Sequence, residues 1–217
     1  YFLEVFDDNA CTSAQSITLT DAGATIEGVI QDVLCFGGSN GTIDITVIGG
    51  NPDFTYEWNG PAGFSSNAED VTDLVAGSYS VEATDVLGCL YGEVFEIAQP
   101  DTMQIGFTGS GVLCFGDING AVISNVSGGT ADYLYNWAGP NAFSSSSQNL
   151  SDLAPGCYDL QVTDANGCIA TDQYCVTEPE EMAVVANITY IDCFGDYSGA
   201  IEIETSGGLP FYQFLWV

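Results

Sequence analysis

The chain has 217 residues, 46% of them hydrophobic and 12% aromatic, and its 30 Asp and Glu are opposed by no Lys, Arg or His, giving a formal charge of -30. That apolar content excludes a disordered chain, and the lack of cations excludes nucleic acid as a direct partner, since nothing can neutralise phosphate. No apolar run reaches the roughly 18 residues that cross a bilayer, so direct membrane insertion is not expected, and eight Cys without a His favour disulfides, hence an oxidising, extracellular setting.

Taken in order, the chain repeats itself. Cys35-Phe36-Gly37, Cys114-Phe115-Gly116 and Cys193-Phe194-Gly195 stand 79 residues apart. Gly49-Gly50, Gly128-Gly129 and Gly207-Gly208 keep that interval, as do Trp58, Trp137 and Trp216. From Cys35 to Trp58, 11 of 24 residues are identical to Cys114–Trp137 without a gap. The expected organisation is the end of one repeat (1–24), two whole repeats (25–103 and 104–182) and the start of a fourth (183–217).

Within 104–182, Cys114–Ile118 and Ala121–Val126 are expected to pair as a hairpin turning at Asn119-Gly120. Gly128-Gly129 then leads into Tyr133–Trp137, a strand with Tyr133, Tyr135 and Trp137 on one face. Phe54, Tyr56 and Trp58 repeat the pattern, as do Tyr212, Phe214 and Trp216, so a central aromatic strand is expected three times. A Trp on such a strand is core rather than a platform for stacking sugars.

A Ser-rich loop, Phe143–Gln148, precedes Asp152-Leu153-Ala154-Pro155-Gly156-Cys157-Tyr158, which matches Asp73–Tyr79 and makes Tyr79 and Tyr158 candidate tyrosine corners. Tyr158, Leu160 and Val162 alternate inward, Thr163–Gly167 turns, and Cys168–Thr177 returns as a last strand before Glu178-Pro179, the counterpart of Gln99-Pro100. Short strands with frequent turns and no helical period define the class: all-β, tandem immunoglobulin-like antiparallel β-sandwich repeats of about 79 residues.

Cys157 and Cys175 each lie nine residues from Asn166 at the centre of that last hairpin, and are expected to face each other. The recurring cysteines leave two schemes. One pairs within a repeat (Cys35 with Cys89, Cys114 with Cys168); the other pairs across a junction (Cys11 with Cys35, Cys89 with Cys114, Cys168 with Cys193). A hairpin at Asn119-Gly120 carries Cys114 toward the Gly128-Gly129 end, where Cys168 also lies, so the first scheme is preferred.

Asp85 and Asp164 precede hairpin turns, and Asp117 and Asp196 follow the Cys-Phe-Gly motifs. Such oxygens suit Ca2+, the one cofactor the pattern admits. Against it, the contiguous Asp-x-Asp-x-Asp-Gly loop is missing, and an Asp before a turn commonly bonds its own backbone. No His or Lys stands ready to activate a nucleophile, and the adjacent carboxylates Glu180-Glu181 and Asp7-Asp8 fall at a junction and in a turn, so no catalytic set is expected.

The ordered landmarks Cys-Phe-Gly-x-x-x-Gly, Gly-Gly, aromatic-x-aromatic-x-Trp, Asp-Leu-x-x-Gly-x-Tyr and Thr-Asp-x-x-Gly-Cys, closing at Gln-Pro or Glu-Pro, resemble the SprB-type repeat of giant surface adhesins of Bacteroidota. The resemblance implies a very long protein exported by type IX secretion and displayed as a cell-surface filament in adhesion or gliding motility, with no catalytic residues. It also implies O-glycosylation at Thr102, because Asp101-Thr102-Met103 fits the acceptor pattern of that phylum. The expected role is a disulfide-stapled stalk whose partners are neighbouring repeats, surface glycans or other copies in a filament. A calcium- or glycan-binding module and a structural sheath or surface-layer polymer are the alternatives.

Overall fold

A computed structural model describes residues 1–18 and 23–217, and the chain divides into two compact units, Tyr1–Gln99 and Pro100–Val217. The first unit opens with a hairpin of β1 (Phe2–Phe6) and β2 (Thr12–Ser16). It continues as β3 (Ala24–Gln31), β4 (Gly41–Gly49), β5 (Thr55–Asn59), β6 (Ser65–Ser66), β7 (Val71–Leu74), β8 (Gly77–Thr84) and β9 (Leu90–Ile97). These seven strands make two antiparallel sheets, ordered β3-β4-β7 and β6-β5-β8-β9.

The second unit repeats the scheme with β10 (Gln104–Ser110), β11 (Gly120–Ser127), β12 (Leu134–Gly139), β13 (Phe143–Ser145), β14 (Leu150–Leu153), β15 (Gly156–Thr163) and β16 (Ile169–Val176). Its sheets are β10-β11-β14 and β13-β12-β15-β16. A hairpin of β17 (Ala183–Thr189) and β18 (Ala200–Ser206) follows. Both units are therefore immunoglobulin-like antiparallel sandwiches of three strands on four. No helix among the described residues is long and apolar enough to cross a membrane.

The two-residue alternation that marks the strands also builds the core. Trp58 and Trp137 are fully buried, and each indole N–H finds a carbonyl at 3.0 Å, on Ala68 and Ser147 respectively. Ile43, Leu74, Tyr79 and Val81 pack with Trp58; Val122, Leu153, Tyr158 and Leu160 pack with Trp137. Phe54, Tyr56, Tyr133 and Tyr135 lie half-buried against the same clusters, so the aromatic stripes are core in both sandwiches.

The tyrosine corners are formed. The Tyr79 hydroxyl donates to the Val75 carbonyl and that of Tyr158 to Ala154, both at 3.0 Å. Each ring meets a phenylalanine edge-on, Phe64 at 5.3 Å and Phe143 at 5.2 Å between centroids. Gly60 and Gly139 let the backbone lie against these rings: a Cβ on Gly139 would stand 2.5 Å from Tyr158 Cδ1.

Three expectations need correction. The Tyr212–Trp216 segment forms no strand, and Trp216 is exposed; in the complete sandwiches this strand pairs with β8 or β15, and residues 183–217 contain no counterpart of either. The first hairpin of the repeat turns not at Asn119-Gly120 but through the whole loop 111–119, because β10, not Cys114–Ile118, pairs with β11. Cys114 therefore lies at the opposite end of the sandwich from Gly128-Gly129.

That displacement removes the within-repeat disulfides. Val112 N–H donates to the Thr177 carbonyl at 2.9 Å, which fixes the Cys114 loop beside the last residue of β16. Cys168 precedes the first residue of β16, and the strand's eight residues span about 26 Å, against the roughly 7 Å that a disulfide tolerates between Cα atoms. The same arrangement separates Cys35 from Cys89 across β9, since Val33 N–H donates to Ala98 O. Accordingly Cys89 and Cys114 carry free, exposed thiols, while Cys35 and Cys168 are disulfide-bonded to other partners.

Candidate functional site

Each sandwich has two unlike ends, and most of the residues singled out in the sequence gather there. At the incoming end, where β10 begins, the Gly129 N–H donates to the Asp101 carbonyl at 2.8 Å. Gly128 takes φ +73, and a Cβ there would collide with the Thr102 carbonyl. The β15–β16 hairpin closes on the same spot, its Ala165 N–H donating to the Thr130 carbonyl at 3.0 Å.

Asp164 organises this end. Its Oδ1 accepts the N–H groups of Asn166 at 2.9 Å and Cys168 at 2.8 Å, and its Oδ2 accepts that of Thr130 at 2.9 Å. Burial pushes its carboxyl up, but the backbone N–H donors outweigh this and hold it below the usual carboxylate range. Asp85 does the same in the first sandwich, accepting from Leu87 and Cys89 on Oδ1 and from the Asn51 amide on Oδ2, each at 2.9 Å. The Asn51 amide and then the Cys89 N–H bring Asp85 down to about 2. Asp7 repeats the turn, with Cys11 and Asn9 N–H groups lowering its carboxyl.

The outgoing end carries the Cys-Phe-Gly loop. Asp117 N–H donates to the Cys114 carbonyl at 3.1 Å, Asn119 Oδ1 accepts Leu113 N–H at 3.0 Å, and Glu178 accepts Gly116 N–H at 3.3 Å. Gln99 receives Gly37 N–H in the first sandwich at 2.8 Å, so the Gln-Pro or Glu-Pro that closes each repeat pins its cysteine loop.

Asp85 serves the turn of its own hairpin in the first unit, and the three Asp of the second unit offered as calcium ligands are each engaged within their own loops. Asp164 lies at the incoming end and Asp117 at the outgoing end, where Asp117 Oδ2 accepts Cys114 N–H and the Asn119 amide. Asp196 accepts Tyr197 N–H and the Ser198 hydroxyl. Among the described residues no three Asp, Glu or Cys side chains gather closely enough to hold an ion. Thr102 is exposed at the incoming end.

Cys157 and Cys175 stand directly opposite in the β15–β16 register and form a disulfide. Their counterparts in the first sandwich, Ser78 and Glu96, occupy the same register without a bond.

One feature of both sandwiches was not singled out in the sequence. The outer face of the four-stranded sheet carries a shallow, open groove of about 510 Å3 in the first unit, lined by Glu57, Asn59, Glu82 and Glu93. The groove recurs at equivalent positions in the second unit, about 480 Å3, lined by Asn136, Gln161, Thr171, Asp172 and Gln173. The signal was available: Asn136 alternates with the inward Tyr135 and Trp137 and must point outward.

The strands and sheets define the class, an immunoglobulin-like repeat protein. Chains in solved structures resemble it in part: one from Dpr11 IG1 bound to DIP-gamma IG+IG2 (11% identity, 72% of this chain and 98% of that one, TM-score 0.33) and the amphioxus IgVJ-C2 molecule (9%, 74% and 99%, 0.30). A third, from a structure on Dscam isoform specificity, gives 11%, 78% and 51%, with a TM-score of 0.31. No curated protein matches in sequence. The family model that matches is the SprB repeat, over residues 28–63 and 185–217, and these two segments are similar to SprB repeats. The two matches begin within one residue of equivalent places two periods apart, and the stretch between them carries the same Cys-Phe-Gly, Gly-Gly and Trp landmarks.

Proposed function

We propose that this chain is a segment of an extracellular cell-surface adhesin, in which sandwiches in series form a stalk that carries adhesive activity away from the cell in attachment or gliding. One observation carries the proposal: each sandwich receives the chain at one end and releases it at the other. β10 starts beside the Asp164 hairpin, and β16 ends beside the Cys114 loop. Repeats built this way extend a filament without rearrangement, each touching mainly its neighbours. SprB repeats and disulfides support a surface location. No residue acts as a catalyst in this reading.

Pulling single molecules in reducing buffer tests it. A stalk of independent sandwiches gives one unfolding step per complete repeat, each releasing on the order of 25 nm of chain; one combined step, or no mechanical resistance, rejects the stalk.

The recurring outer groove favours a second reading, in which each repeat also holds a glycan. Its Asn, Gln, Thr and carboxylate lining offers donors and acceptors to sugar hydroxyls. A glycan array probed with the whole chain, and with Asn136→Ala and Gln161→Ala, distinguishes the two: binding lost in the variants supports recognition, and no binding leaves the groove a passive face.

A further inference from the structure

The outer face of the first sandwich breaks two rules of strand pairing that the second sandwich keeps. Glu57 on β5 and Glu82 on β8 stand directly opposite each other, and both point outward, since they alternate with the buried Trp58, Val81 and Ala83. Like charges so placed destabilise a sheet, and the sequence has no Lys, Arg or His to relieve them. Next in the same row, Gly92 on β9 pairs with Glu82. Glycine weakens a strand interior and marks a bulge, a tight bend or the close approach of another molecule. Gly92 lies within the regular pairing of β9, and a Cβ there would meet only the Val81 carbonyl, at 3.8 Å. Neither conformation nor packing in this sandwich requires it.

The equivalent row of the second sandwich, 79 residues further on, is Asn136, Gln161 and Thr171, in the same register. It is neutral, and a β-branched side chain fills the place of the glycine. The fold itself therefore calls for neither the facing carboxylates nor the missing side chain. Both departures meet in the open groove of the first unit, whose walls add Asn59, Ser80 and Val94.

We propose that this groove is the docking site of an extended, lysine- or arginine-bearing segment of another protein. The facing carboxylates offer paired acceptors to a cationic head group, and Gly92 leaves the sheet low enough for the partner's backbone to lie across it. The occupant is not a second copy of this chain, because no copy carries a cationic side chain. The formal charge of -30 draws such a partner in, and the groove sets where it rests. The inference does not depend on the stalk; it gives the first groove a peptide in place of a glycan and leaves the neutral second groove to the glycan reading.

The test follows the fluorescence anisotropy of a short labelled peptide of alternating lysine and glycine, which sets its lysines on one face when extended, as the whole chain is added. Glu57→Gln with Glu82→Gln is expected to weaken binding on the order of fivefold. Glu202→Gln with Glu204→Gln, exposed on β18, removes the same charge elsewhere and should change binding by less than about twofold. Equal losses in the two variants would show diffuse attraction and overturn the proposal. Gly92→Thr, which installs the residue type of the second sandwich, should also weaken binding without lowering the melting temperature; a lowered melting temperature makes the glycine a need of its own strand and overturns the proposal. Displacement of the peptide by glucosamine or, at matched ionic strength, by Ca2+ assigns the groove to an amino sugar or an ion and overturns it equally. Asn136→Ala and Gln161→Ala act on the second sandwich, so the glycan reading stands or falls separately.

Discussion

The Thr130 backbone N–H and the Asp164 carboxylate, 34 positions apart, are joined at 2.9 Å, and this bond ties the turn before β12 to the β15–β16 hairpin. The same carboxylate closes the hairpin through Asn166 and Cys168. Asp164→Ala leaves three N–H donors without an acceptor, which costs on the order of 3 kcal/mol. Urea unfolding followed at Trp137, with amide exchange at Thr130, reads the effect; a loss below about 0.5 kcal/mol would mean that water replaces the carboxylate freely.

Acid should reveal the same device in the first sandwich. Asp85 is depressed from 3.8 to about 2, chiefly by the Asn51 amide. A group whose folded value lies below its unfolded one favours the folded state above the unfolded value, and that contribution disappears as pH falls through the folded value. Wild type should therefore exceed Asp85→Asn in melting temperature at pH 7, with the gap closing between about pH 4 and pH 2. Comparing the two proteins cancels the relief of self-repulsion that protonation brings to the other carboxylates. A gap that widens on acidification contradicts the assignment.

Removing calcium should change nothing. The carboxylate oxygens of Asp85 and Asp164 are engaged by N–H donors of their own turns, and a cation would have to displace those bonds. Melting curves with EDTA and with millimolar Ca2+ are expected to superimpose; a shift of several degrees would identify a site made elsewhere.

Much of this architecture was legible because it rests on local alternation. Trp58, Trp137 and the corners at Tyr79 and Tyr158 declare themselves by two-residue periods and a fixed Asp-Leu-x-x-Gly-x-Tyr spacing. The Cys114 loop misled, because Asn119-Gly120 is a favourable hairpin dipeptide, yet β10 lies earlier and seven residues of it pair with β11. Nothing local marks Gln104–Ser110, with two glycines and a mixed pattern, as the stronger partner. Which end of a sandwich a cysteine occupies is a consequence of long-range pairing, so the pairing of the recurring cysteines was not readable from spacing, whereas that of Cys157 with Cys175, set by one local hairpin, was.

The hydroxyl of Tyr158 separates the corner from the core. Tyr158→Phe keeps the edge-on contact with Phe143 and loses only the bond to Ala154, a change of about 1 kcal/mol. Trp137→Ala empties a fully buried site and should cost about 3–5 kcal/mol. If equilibrium unfolding gave Trp137→Ala the smaller loss, the stripe would not be core.

The staple between Cys157 and Cys175 closes a separation of 18 residues, and removing such a constraint on the unfolded chain costs about 3 kcal/mol in the loop-entropy account. Cys157→Ser with Cys175→Ser should lower the stability of the second sandwich by up to that amount and leave the first unchanged. The first sandwich supplies the converse experiment, because Ser78 and Glu96 are directly paired across β8 and β9. Ser78→Cys with Glu96→Cys should oxidise without displacing either strand and raise the melting temperature of that sandwich, an increase that dithiothreitol abolishes. A bond that forms but leaves stability unchanged would show that the native staple in the second sandwich resists something other than unfolding.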